Sequence, residues 1–220
     1  MSIPPFSLLV AMLPLAAYLT LFGFIRLFGK PRVTTGGRDF IAVAIAVSGL
    51  VVIGPAELFF PAAAAMLFGV AIWPVLTVLY FLLVLLVILS SRPRLVIYGS
   101  GPRAISEPLL RAAQSLDGDA TLDQEAGTVV LPRSGVHLRL EGHRGSDASE
   151  VFAYETNTTP IFWNRLNIAL RSELAAVESV SPRRGGMMFA TGIIILLFLT
   201  LQMVAAPEAV TQGFREWLWR

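Results

Sequence analysis

Apolar positions gather into long runs towards both ends of the chain, whereas residues 91–185 alternate between apolar and polar at strand and helix periods. A helix that crosses a hydrocarbon core of about 30 Å needs about 20 mostly apolar residues. Residues 6–28 meet that requirement, with Pro14 inside and Arg26 near enough to the end to snorkel outward. Residues 1–5 carry no charged side chain and the positive residues follow the run, so an anchor is expected here rather than a cleaved leader. Between residues 40 and 90 the only charged side chain is Glu57. That stretch divides into a second span near 39–59 and a third near 65–90. The break falls around the prolines at 55 and 61, with Pro74 expected to kink the third helix. A fourth span covers 186–206.

Positive charge orients these runs. Arg26, Lys30, Arg32 and Arg38 lie in the first connection, and Arg92 and Arg94 follow the third span. Arg183 and Arg184 precede the fourth, while the turn at Glu57 holds no Lys or Arg. By the positive-inside rule both termini lie outside and 91–185 lies in the cytoplasm. Arg92, Arg94, Arg183 and Arg184 are placed to meet lipid headgroups. Glu57, the lone intramembrane suspect, is expected at the outer interface. In the tail, 207–220, Val210, Phe214, Trp217 and Leu218 share helical spacing with Trp219 beside them. This predicts an amphipathic interfacial helix, or a docking peptide carried by Trp217 and Trp219.

Within 91–185 the turn signals and periods predict the order β-α-β-β-β-β-α. The strands fall at 95–98, 120–124, 128–132, 136–142 and 150–156. The first helix carries the stripe Ile105, Leu109, Ala112 and Leu116, starting at Ser106 or at Pro102. The second starts at Thr159-Pro160 and carries Phe162, Leu166, Ala169 or Leu170, Leu174 and Val177. Connections between the later strands are too short for parallel crossovers, so a mostly antiparallel sheet with both helices on one face is expected. The fold class is therefore an α-helical polytopic membrane protein with four transmembrane helices and an inserted small α+β two-layer domain.

Composition supports this class, with 55% hydrophobic and only 15% charged residues against about 25% charged in soluble domains. Cysteine is absent, which removes disulfides, Cys-ligated metals and thiol nucleophiles. Arginine outnumbers lysine 16 to 1, a bias read here as a GC-rich bacterial genome, and the bacterial inner membrane is the expected location. The positive net charge does not imply nucleic-acid binding. Without its four membrane-flanking arginines, 91–185 holds 7 Arg against 11 Asp and Glu, so no basic face is available.

Gly99, Gly101 and Ala104 match a G-x-G-x-x-A phosphate loop between a strand and a helix, but the domain has no room for a doubly wound parallel sheet. A plain strand-to-helix turn is therefore expected, with no cofactor. His137 and His143 lie about 20 Å apart on an extended strand and cannot share a metal. The acidic run 117–125 lacks the glycine and closing glutamate of a calcium loop. No catalytic constellation emerges. The expected role is a non-enzymatic interaction or assembly component, with the exposed strand face of His137, Arg139 and Glu141 contacting a second copy or another membrane protein. A ligand-sensing or transport-accessory protein is the first alternative, and a membrane-embedded enzyme using Glu57 is the second.

Overall fold

The computed structural model describes residues 4–27, 31–56, 71–123, 126–142, 148–155, 158–175 and 183–218. Glu57, His143 and Trp219 lie outside them, as do the side chains of Arg183 and Arg184. By its contacts the chain forms two compact units. One comprises Met1–Phe24, Phe40–Ser90 and Met187–Arg220, and the other Ile25–Asp39 and Ser91–Gly186.

The first unit is helical. Its helices are α1 (Pro5–Leu27), α2 (Gly36–Val51, continued by a π-helical turn Val52–Ala56) and α3 (Ile72–Ser90). A fourth long helix, here α6 (Arg183–Ala205), leads into α7 (Pro207–Leu218). Four of these helices are long and apolar enough to cross a membrane. In α3, leucines on every side are exposed, from Leu85 at 49% to Leu89 at 74%. A helix that is apolar all round belongs in a core or a bilayer, and among the described residues no core surrounds this one, which suggests a membrane protein. Pro74 occupies the first turn of α3 as described, where a missing N–H costs nothing.

Small residues let these helices approach closely. A Cβ at Gly23 would fall 2.4 Å from the Phe189 amide nitrogen, and one at Gly192 would fall 2.6 Å from that of Thr20. Helices α1 and α6 therefore run antiparallel in backbone contact. Gly49 meets the Val10 carbonyl in the same way, and the Tyr80 hydroxyl donates to the Ala44 carbonyl at 2.6 Å. Close approach over small residues is how helices gain packing energy in a solvent as apolar as their own side chains.

The second unit is a two-layer α+β domain. Its strands are β1 (Arg32–Thr35), β2 (Arg94–Tyr98), β3 (Thr121–Asp123), β4 (Thr128–Leu131), β5 (Val136–Glu141) and β6 (Ala148–Ala153). They form one sheet in the order β1-β2-β6-β5-β4-β3, antiparallel throughout. Helices α4 (Pro102–Leu116) and α5 (Pro160–Leu174) pack against each other and against one face. Leu95, Ile97, Leu138 and Val151 from the sheet meet Ile105, Leu109, Leu166 and Leu170 in the core. Thr159 caps α5 by accepting the Phe162 amide, with Pro160 in the first turn.

Two features extend what the sequence leads one to expect. The sheet has a sixth strand, β1, contributed by the connection between α1 and α2. Its free edge is blunted, because the Arg171 guanidinium donates to the Val33 carbonyl at 3.0 Å. Helix α4 starts at Pro102, the alternative to Ser106, so Pro108 lies within it. At the far end of α4, Asp117 is 2% exposed and its carboxylate accepts the amides of Asp119 (3.2 Å), Arg133 (2.8 Å) and Ser134 (3.3 Å). One side chain thus joins the helix terminus to the β4–β5 turn.

Candidate interaction surface

Alternation along the strands leaves the second face of the sheet mainly to polar and aromatic side chains, with Val96 and Val130 between them. His137, Arg139 and Glu141 share this face as their spacing predicts, and the registers bring others beside them. Arg139 lies opposite Phe152 and Glu141 opposite Glu150, while Phe152 and Glu150 in turn lie opposite Arg94 and Val96. The two glutamates face each other directly, an arrangement that is repulsive alone. Each is matched by an arginine. Arg94 donates to Glu150 at 3.1 Å, and Arg139 Nε lies 3.0 Å from Glu141. Arg139 also donates to the Tyr154 hydroxyl at 2.8 Å, with its guanidinium carbon 5.8 Å from the Tyr154 ring centre.

His137 completes the row. Its Nδ1 lies 2.6 Å from one oxygen of Glu155, and its backbone amide donates to the other at 2.9 Å. Burial pushes the Glu155 carboxyl up, but the His137 amide, the His137 ring and the Glu155 amide outweigh it and hold the pKa below the usual glutamate value. The stabilisation from this clasp is therefore complete above the ordinary glutamate pKa and is lost as pH falls through the lowered folded one. Hydrogen exchange at the His137 amide, corrected for intrinsic rate, is expected to keep full protection at pH 6 and to lose it only below the usual glutamate range. Loss of protection well above that range would contradict the clasp.

Between the charges lies a shallow depression of about 660 Å³, bordered by Val96, Tyr98, Arg139, Glu141, Gly142 and Glu150. At its Tyr98 side the phenol donates to Asp39, and the Arg26 guanidinium carbon sits 5.6 Å from the ring centre. The charged groups are about half exposed, as with Arg94 at 42% and Glu150 at 43%. Such exposed pairs contribute only about 0–1 kcal/mol each to folding. Their arrangement bears instead on what the face will accept, since patterned charge selects partners and orients their approach.

Sequence reasoning found three members of this surface and missed Arg94, Glu150, Tyr154 and Glu155. The alternation in 150–156 already put Glu150, Phe152 and Tyr154 on one side, but only the register shows which strand they oppose. Arg94, expected at lipid headgroups, is paired with Glu150. In the 99–104 loop, Gly99 takes φ 87° and turns the chain from β2 into α4, with Gly101 as N-cap. Ser149 donates to the Ser100 carbonyl, and a Cβ at Gly142 would fall 2.5 Å from Pro102, so this end of the sheet packs closely on the loop. An all-antiparallel sheet also lacks the crevice at which parallel sheets hold dinucleotides. Trp217, expected in an interfacial or docking helix, lies 4.2 Å from Trp73 and 6.0 Å from Phe6 between ring centres, with Phe214 5.8 Å from Phe6. Its ring is thus engaged within its own helical unit. Among the described residues no group of His, Asp and Glu is placed to hold a metal ion.

Fold and surface together define a helical chain with four candidate membrane spans and an antiparallel α+β domain whose second sheet face carries paired charges. No protein-family model matches the chain, and neither does a curated protein or a solved structure.

Proposed function

We propose that this protein is a non-enzymatic interaction or assembly component of a bacterial inner membrane. In this reading α1, α2, α3 and α6 span the bilayer, both termini lie outside, and the α+β domain lies in the cytoplasm. The domain contacts a second copy or another membrane protein through its charged sheet face. One observation carries the reading: both helices of the domain occupy one side of the sheet, and the other side holds two ion pairs, Arg94–Glu150 and Arg139–Glu141, with Glu150, Arg139 and Glu141 bordering an open depression. The positive residues at 26–38, 92–94 and 183–184 support the orientation.

Replacing both Arg94 and Arg139 by Glu makes all four of the paired positions acidic. Because exposed pairs contribute little to folding, the domain is expected to stay folded. The complex extracted gently from its own membranes is expected to shift to lower mass on native gels, with affinity reduced at least tenfold. A complex of unchanged size would contradict the proposal.

A further inference from the structure

A second surface, separate from the charged sheet face, lies where β1 and β2 leave the sheet. Thr35 pairs with Leu95, and the strands are antiparallel, so residues 36–38 and 92–94 depart at the same end. A Cβ at Gly36 would fall 2.5 Å from the Arg94 side chain, which places the two segments in contact. Arg38 and Arg92 are both exposed there. Neighbouring acids are committed elsewhere, Asp39 to the Tyr98 hydroxyl and Glu150 to Arg94. Among the described residues neither Arg38 nor Arg92 has an ion pair; the Arg38 backbone amide alone is held, by the Thr35 hydroxyl at 3.5 Å.

The chain itself indicates what two such arginines meet. Arg38 stands in the first turn of candidate span Gly36–Gly54, and Arg92 comes two residues after candidate span Ile72–Ser90. Both therefore sit at the boundary between hydrocarbon and headgroup if these helices cross a bilayer, the membrane reading on which this inference rests. A guanidinium presents paired N–H donors that match phosphate oxygens, and it keeps its charge at any physiological pH. We propose that Arg38 and Arg92 together bind the phosphate of an anionic phospholipid, such as phosphatidylglycerol, and fix the β1–β2 edge of the domain to that lipid.

The test is native mass spectrometry of the full chain from nanodiscs of equal phosphatidylcholine and phosphatidylglycerol. Wild type is expected to retain phosphatidylglycerol roughly tenfold over phosphatidylcholine. The double variant Arg38→Gln/Arg92→Gln is expected to lose that preference. The remote pair Arg103→Gln/Arg165→Gln is expected to keep it, and Arg38→Lys/Arg92→Lys to keep only part, because an ammonium cannot make the paired contact. Equal retention by wild type and the first variant would overturn the proposal, as would equal loss in the remote pair. Displacement of the lipid by millimolar inorganic phosphate would overturn it in favour of a soluble anion. Complex mass in the same spectra reports the sheet-face contact separately, so failure of one is distinguishable from failure of the other.

Discussion

Substitution of Gly23 by Leu is expected to destabilise the helical unit by at least 1–3 kcal/mol, the usual range for overpacking. The obstruction is backbone: a Cβ there would fall 2.4 Å from the Phe189 nitrogen and 2.7 Å from its Cα. A flexible side chain would swing away, but two helices in main-chain contact must separate along the seam, forfeiting the packing that holds them together in an apolar solvent. Trp73 and Trp217, whose ring centres lie 4.2 Å apart in the same unit, provide an intrinsic fluorescence reporter. Thermal unfolding of the full chain in detergent is expected to begin several degrees lower in Gly23→Leu. Gly54→Ala is the control, because among the described residues nothing lies within 4 Å of its added Cβ. Equal melting of Gly23→Leu and wild type would show that α1 and α6 do not meet at this point.

The second large effect concerns Asp117. Its carboxylate is 2% exposed and accepts three backbone amides from two segments. Asp117→Ala leaves those donors without an acceptor, and each buried donor left unmade costs about 1–3 kcal/mol. A total near 3 kcal/mol is expected, because all three amides belong to exposed residues and water meets part of the loss. Read by hydrogen exchange, the Arg133 and Ser134 amides are expected to open roughly a hundredfold more readily. Asp117→Asn keeps one acceptor oxygen and is expected to lose less. Exchange at wild-type rates in Asp117→Ala would show that the β4–β5 turn holds itself.

Where the chain signals structure locally, its pattern is readable. The cap at Thr159-Pro160, the β4–β5 turn at Ser134-Gly135 and the alternation Val136, Leu138, Leu140 each depend on neighbours within a few residues. The order β-α-β-β-β-β-α between residues 94 and 174 follows from such signals. Strand β1 does not. Arg32-Val-Thr-Thr35 is four residues long, flanked by basic residues, and becomes a strand only by pairing with residues about sixty positions away. Its β-branched run was the available signal, and the positive charge around it read as a membrane-flanking loop. The surface shows the same divide. His137, Arg139 and Glu141 share a face by periodicity, whereas Arg94 and Glu150 join them through register, which composition does not encode. Trp217 carries the amphipathic pattern of a free interfacial helix, and only the tertiary fold shows that Trp73 and Phe6 occupy its ring.

The proposed partner contact lies on the charged sheet face. The absence of cysteine makes site-specific labelling clean. A photocrosslinking residue introduced at Glu141, and separately at exposed Glu107 on helix α4, tests the claim in intact membranes. A discrete adduct is expected from position 141, either the chain with itself or the chain with one other protein, and none from position 107. Adducts from position 107 alone, or from neither position, would contradict it.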